Sequence, residues 1–251
     1  MVHRQPRVRG VTGLSSRVQL AALFHSASCV LLDFDGPVCD LFAGQPAREV
    51  ANGLRSTLFA TGVALPAAGL TSDDPMVVLH QAALVSPVGA HTAQDELAKA
   101  ELAAVQSARE TVGARAFLEA CRAAALPVVI VSNNSGPAVR AYLDAHDLAT
   151  LVQHVVGRSS DDVRLMKPNP HLLFEALGLL GTDVADAVMV GDSVSDVEAS
   201  RTAVIRAIAY ANKPHKVEAL AFADALVTNM CDLARAVVEG AVTDDCLGNL
   251  V

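Results

Sequence analysis

Apolar and polar positions along this chain fall into two regimes. From residue 127 onward, short apolar runs alternate with longer segments in which apolar residues recur every three or four positions. The runs "PVVIVSN" (127–133), "HVVG" (154–157), "AVMVGD" (187–192), "IRAIAY" (205–210) and "ALV" (225–227) have the length and β-branched content of buried strands. Between them, Gly136-Pro137 opens the helix "AVRAYLDAH" and Pro170 opens "HLLFEALGLL". Further helices are predicted over 194–202, near 214–222 and at the C-terminal end. An earlier run, "SCVLLDF" (28–34), is one more buried strand, ended by the turn signal Gly36-Pro37. Strands alternating with helices of roughly 10–15 residues predict a parallel sheet covered by helices on both faces.

Residues 46 to about 125 show no such alternation and read as helices only. Pro46 suits a first helical position and Gly62 a stop for "AREVANGLRSTLFAT". Asp73 or Asp74 with Pro75 opens "MVVLHQAAL", and Thr92 with Asp95 resembles a capping box ahead of a long Ala-, Glu- and Leu-rich segment. Gly113 separates that segment from "ARAFLEACRAAAL". Upstream, Ser15 or Ser16 caps a short helix over "RVQLAALFH", preceded by a polar stretch, 1–14, expected to fray. The expected organisation is an N-terminal extension with a short helix (1–27), an α/β core (28–44 and 113–251) and an all-helical cap inserted at 45–112.

Composition narrows the classes. A chain of 251 residues with 52% hydrophobic positions supports one large domain, or one carrying an insertion, around a sizeable core. The formal charge of −8 argues against a nucleic-acid or anionic-membrane partner. No stretch reaches the ~18 uninterrupted apolar residues of a spanning helix. Arg4, Arg7, Arg9 and Arg17 are not followed by a compact apolar segment with a cleavage site, so a cytoplasmic protein is expected. Five cysteines without a CxxC pair fit neither a disulfide framework nor a zinc site.

Open parallel sheets bind ligands outside the carboxyl ends of their strands. Three of the predicted strands end there in polar residues, "LLDFD", "IVSNN" and "MVGDSVSD", and a fourth polar cluster, "MKPNP", precedes a helix. Asp33, Asp35, Ser132, Asn133, Lys167, Asp192 and Asp196 are thereby gathered at one edge. Singly, each has a bland explanation as a helix cap, turn or solvated loop residue; their shared location sets them apart. Arg48, early in the insert, could reach a substrate anion but is favoured as a solvated helix arginine, and His80, His91 and His171 read as surface or capping residues; "YANKPHK" (210–216) follows a strand at the same edge and could border the pocket, but is favoured as a plain strand-to-helix loop. The absence of GxGxxG, GxxxxGK[ST] and GxSxG removes the usual nucleotide-binding and serine-hydrolase readings.

In this order, "DFDGP", "VVIVSNN", "KPNP" and "VGDSVSD" resemble the four motifs of the haloacid dehalogenase (HAD) superfamily, over residues 29 to about 228. Pro37 stands where many members carry Thr. The resemblance implies an α/β fold, a Rossmann-like parallel sheet core with an inserted all-helical cap of the C1 type, and its layout is nearest the phosphoglycolate phosphatase-like branch. It implies a Mg²⁺-dependent phosphatase that hydrolyses a small-molecule phosphate monoester through an aspartyl-phosphate, as a monomer or homodimer. In that reading Asp33 is the nucleophile and Asp35 protonates the leaving alkoxide, then takes a proton from the hydrolytic water. The Asp33 carboxylate, the Asp35 carbonyl and the Asp192 carboxylate hold Mg²⁺. The Ser132 hydroxyl, the Asn133 N–H and Lys167 bind the phosphate, and Asp196 orients Lys167 or a metal-bound water. A dehalogenase would lack the second carboxylate, so Asp35 counts against it. A phosphomutase keeps both and is an alternative. From a different class, a receiver module would carry its Lys-Pro last along the chain, whereas Lys167 precedes "GDSVSD"; a catalytically silent phosphate-binding protein is the other alternative.

Overall fold

A computed structural model describes residues 14–158 and 162–247; residues 1–13, which carry most of the expected frayed stretch, lie outside the described residues. In chain order the elements are α1 (Arg17–His25), β1 (Cys29–Leu32), β2 (Cys39–Asp40), α2 (Ala47–Ala60), α3 (Ala67–Thr71), α4 (Pro75–Val85), α5 (Pro87–Ala104), β3 (Arg109–Glu110), α6 (Ala114–Ala123), β4 (Val128–Ser135), α7 (Gly136–Ala145), β5 (His154–Arg158), α8 (His171–Leu180), β6 (Ala187–Gly191), α9 (Val194–Ala203), β7 (Arg206–Tyr210), α10 (Pro214–Ala219), β8 (Ala225–Val227) and α11 (Met230–Leu247).

Six strands pair in parallel in the order β5-β4-β1-β6-β7-β8. Strand β1 lies between β4 (Val30 opposite Val128) and β6 (Leu32 opposite Val190), so all four of its residues are buried. Successive side chains alternate faces. Val30, Leu32, Val128, Ile130, Val188 and Val190 meet the layer formed by α1, α6, α7 and α11. Cys29, Leu31, Val129, Val131, Ala187 and Met189 meet α8 and α9. Burying each such aliphatic side chain contributes about 1.5–3 kcal/mol, which is why these runs carry almost no polar residue before their carboxyl ends. Sequential strands add to either side of β1, and that reversal opens a crevice at its carboxyl end.

Helix α1 is capped by Ser16, whose Oγ accepts from Gln19 N–H at 3.3 Å. Its Leu20 and Phe24 are buried in the core layer, with the Phe24 ring 5.7 Å from that of Phe117. Helices α2 to α5 enclose a separate apolar cluster built on Leu54, Leu58, Val78, Leu79 and Leu97, into which Val163 and Met166 reach from the loop before Lys167. Helix α5 spans about 27 Å and bridges the two clusters: Leu97 belongs to the insert, whereas Ala104 and the adjoining Val105 belong to the core.

Two local expectations change. Helix α5 begins at Pro87, capped by Ser86 Oγ on Gly89 N–H at 3.0 Å, so Thr92 lies inside it and Asp95 faces His91 at 3.3 Å. A proline at the first helical position after a serine cap suffices to start the helix nearly two turns earlier. The stretch read as wholly helical also contains β3, which pairs antiparallel with β2 (Cys39 opposite Glu110), so the chain leaves and re-enters the core through one two-stranded ribbon. Cys29, Cys39 and Cys121 are buried and free, Cys231 is half-buried and free, and the side chain of Cys246 lies outside the described residues. Among the described residues no helix is long and apolar enough to cross a membrane.

Candidate active site

Asp33 follows β1 directly and extends its pairing by donating its N–H to Val190 O at 2.9 Å. The chain then turns through Gly36, at φ +109°, held by Gly36 N–H to Cys39 O and by Thr111 Oγ–H to Gly36 O, both at 2.6 Å. The turn brings Asp35 back so that its Oδ1 accepts from Leu41 N–H at 3.0 Å. Burial pushes the Asp35 carboxyl up to about 6, partly offset by that N–H. A methyl group at Gly36 would lie 2.2 Å from Asp192 Oδ2, so glycine serves both the positive φ and the approach of Asp192. Gly36→Ala is expected to displace the Asp192 carboxylate. Activity should fall on the order of 100-fold, the cost of misplacing a reacting group by about 1 Å. Kinetics of the variant against the parent, beside an unchanged circular dichroism spectrum, check this.

Lys167 is buried at the centre of the site. Its Nζ donates to Asp33 Oδ1 and to Val131 O, each at 2.8 Å, and lies 2.6 Å from Asp196 Oδ1. Burial alone would lower its affinity for the proton, but the Asp196 and Asp33 carboxylates outweigh that and raise it above the ordinary lysine value. The side chain of Asn133 fixes the lysine backbone from both sides, donating to Lys167 O at 2.9 Å and accepting from Lys167 N–H at 2.8 Å. Asn133 lies where the β4–β5 register shifts between Val131 and Ser135. Ser132 Oγ accepts from Asn134 N–H at 3.1 Å.

Beyond β6, Ser193 and Asp196 form the capping box of α9. Asp196 Oδ2 accepts from Asp192 N–H (3.1 Å), Ser193 N–H (3.0 Å) and Ser193 Oγ–H (2.6 Å), so this carboxylate is occupied by α9 and Lys167 together. Asp192 Oδ2 accepts from Asn212 Nδ2 at 3.0 Å and from Lys216 Nζ. Burial pushes the Asp33 carboxyl up and the Asp196 charge adds to this, while the Lys167 ammonium 2.8 Å away opposes both. Burial likewise raises Asp192, with Lys216 opposing.

All seven residues singled out in the sequence border one cavity of about 490 Å³ at the carboxyl edge of the sheet. His80, read as a surface residue, also lines it, whereas Arg48 pairs with Asp73 at 3.1 Å on the exposed side of the insert. The segment "YANKPHK", favoured from the sequence as a plain loop, instead brings Asn212 and Lys216 onto Asp192 at that strand edge. The sequence reading missed a buried network behind the β4 turn. Glu101 of α5 receives Ser135 N–H (2.8 Å), Asn134 Nδ2 (3.2 Å) and two nitrogens of Arg158 (2.8 and 3.1 Å). Arg158 also donates to Asn133 O (2.8 Å) and Gln94 Oε1 (2.7 Å).

Carboxylate oxygens of Asp33, Asp192 and Asp196 lie within 4.8 Å of one another. Lys167 engages one oxygen of Asp33, and Lys216 with Asn212 engages one oxygen of Asp192, which leaves each carboxylate its second oxygen. An all-oxygen, anionic donor set of this kind suits a hard divalent cation such as Mg²⁺.

Fold and site together define a Rossmann-like α/β protein with an acidic, lysine-containing crevice at the end of its central strand. The sequence family described as haloacid dehalogenase-like hydrolase matches residues 69–210, more than half of the chain. A phosphoglycolate phosphatase of Rhodospirillum rubrum is 33% identical over 129 residues, covering 50% of this chain and 49% of that protein. The bifunctional riboflavin kinase/FMN phosphatase of Arabidopsis thaliana is 28% identical over 122 residues, covering 48% of this chain and 32% of that protein. The matches thus span about half or less of these relatives' lengths. Among solved structures, CbbY from Rhodobacter sphaeroides in complex with phosphate has a TM-score of 0.62 at 19% identity, covering 82% of this chain and 96% of that one. The β-phosphoglucomutase of Clostridium difficile has a TM-score of 0.63 at 13% identity, covering 88% and 99%. These two share the fold. The chain belongs to the haloacid dehalogenase-like hydrolases.

Proposed function

We propose that this protein is a Mg²⁺-dependent phosphatase that hydrolyses a small-molecule phosphate monoester through an aspartyl-phosphate on Asp33. The observation that carries the reading is the buried Asp33–Lys167–Asp196 chain, with Asp35 beside it, in a cavity also bordered by Ser132 and Asn133. Relatives acting on phosphoglycolate and FMN support phosphate monoesters as the substrate class.

A phosphate monoester resists attack because its own charge repels the nucleophile, so positioning and neutralisation do most of the work. In the proposed reaction one Asp33 carboxylate oxygen attacks phosphorus, and the Asp33 ester forms as the alkoxide leaves. Asp35, whose raised pKa keeps a proton available, delivers it to that alkoxide and later removes a proton from the water that attacks the aspartyl-phosphate. The Ser132 hydroxyl, the Asn133 N–H and the Lys167 ammonium receive the phosphoryl oxygens. Lys167 keeps its charge and its place because Asp196 holds it from one side and Asn133 fixes its backbone from the other. Mg²⁺, held by the Asp33 and Asp192 carboxylates and the Asp35 carbonyl, would supply further neutralisation of phosphoryl charge. The insert, proposed as residues 45–112, closes the cavity against bulk water.

Release of phosphate from nitrophenyl phosphate should stop in EDTA and return with Mg²⁺. Asp192→Ala should weaken Mg²⁺ binding measured by calorimetry and cut turnover while the fold is kept. Full turnover in chelator would overturn the reading.

A further inference from the structure

The cavity has two halves of opposite character. The core half carries Lys167 and the acidic cluster. The half that faces the insert is lined by Phe42, just before the insert, and by Met76, Val77 and Leu97 within it, with Asp74 and His80 as its ionisable groups. Among the described residues, no lysine or arginine of the insert lines the cavity.

Within the insert, residues 45–112, the cations are Arg48, Arg55, Lys99 and Arg109; Arg109 is exposed and does not line the cavity, and the other three are engaged elsewhere. Arg48 donates twice to Asp73, at 3.2 and 3.1 Å. Arg55 donates to the carbonyls of Gly69 (3.2 Å) and Ser72 (2.6 Å) and to Asn52 Oδ1 (2.6 Å). Lys99 holds Glu96 at 2.6 Å. His80 uses Nδ1 on Met76 O at 2.9 Å; a carbonyl only accepts, so Nδ1 carries the proton and a neutral ring offers a lone pair at Nε2. The end of α4 that borders the cavity already has its anion, since Asp74 Oδ1 accepts from Met76 N–H at 2.8 Å.

A second anionic group on the substrate would therefore meet the Asp74 carboxylate with no fixed cation to balance it. Building on the phosphatase reading, we propose that the site selects monoesters whose leaving alcohol is uncharged and partly apolar. It discriminates against alcohols that carry a carboxylate or a second phosphate, phosphoglycolate included. The insert half then contributes apolar contact through Phe42, Met76, Val77 and Leu97, and a hydrogen bond from the alcohol portion to His80 Nε2.

Two matched pairs of esters isolate charge from shape: phosphoglycolate against its carboxamide, and 4-carboxyphenyl phosphate against 4-carbamoylphenyl phosphate. The assays are run with Mg²⁺ at one fixed pH for all four esters. In both pairs kcat/KM for the uncharged member should be higher by about tenfold or more, as expected for like charges a few ångströms apart at a partly solvated site. Asp74→Asn keeps a good helix cap and removes the charge. It should shrink that ratio several-fold, and a ratio is independent of how much enzyme is folded. Equal or better hydrolysis of the carboxylate member in either pair overturns the inference and leaves the phosphatase reading standing. A ratio unmoved by Asp74→Asn overturns the assignment of selection to this rim. If none of the four esters is hydrolysed, the phosphatase reading fails and the inference with it.

Discussion

Asp33→Asn is expected to end phosphoryl transfer from every ester, with a fall on the order of 10⁶-fold, the scale seen when a covalent nucleophile is removed. An amide oxygen carries no charge with which to attack phosphorus. The fold should survive, because Lys167 keeps Asp196 at 2.6 Å and Val131 O at 2.8 Å. Asp35→Asn should behave differently, because the need for a proton donor depends on the leaving group. Single-turnover phosphorylation by alkyl phosphates should collapse, whereas a nitrophenolate leaves without help and its rate should fall far less. The gap should be about 10²–10⁴-fold, the usual worth of general acid–base catalysis. Steady-state turnover should fall for both ester classes, since hydrolysis of the aspartyl-phosphate still needs Asp35 as base, and an aryl ester should show a burst. Rapid quench with both ester classes reads all of this. Equal loss of the first step for both would make Asp35 a structural or metal-contact group.

The largest stability effect is expected at Arg158. Its side chain is 1% exposed and faces a Glu101 side chain that is fully buried. Arg158→Met strands the Glu101 charge in the interior, at a cost of about 3–5 kcal/mol. For a chain of this size that lowers Tm by about 6–20 °C. Replacing both partners with apolar residues removes the stranded charge. Ser135 N–H and Asn133 O would still lose their partners, at about 1–3 kcal/mol each. Recovery in the Glu101→Leu/Arg158→Met double variant should therefore be partial. Thermal unfolding of the three variants checks this, and a Tm within 2 °C of the parent for Arg158→Met would contradict it. Glu101 comes from the helical insert and holds the backbone beside Asn133, so the same network ties the insert to the turn that borders the candidate site.

What could be read directly from residues was local or periodic. The strand segments are legible because a parallel sheet buries both faces of each strand, which leaves uninterrupted apolar runs such as "VVIV" and "VMV". Caps are legible where a side chain reaches a backbone N–H two or three residues away, as Ser16 and Asp74 do. The gathering of seven polar residues was legible too, because parallel strands all present their carboxyl ends at one edge. Only the folded chain decided the rest. Asn133 bonds Lys167 across 34 residues, Arg158 bonds Glu101 across 57 and Lys216 bonds Asp192 across 24. Nothing in the spacing of those residues marks them as partners, because strand order and the placement of α5 over the β4 turn bring them together. The two-residue ribbon of β2 and β3 has no period to detect, and it exists because the chain must leave and return to the core at one place. The balance of charge in the cavity was settled in the same way: whether a cap arginine meets substrate depends on what else it can bond, and here Asp73 and the carbonyls of Gly69 and Ser72 claim both arginines first.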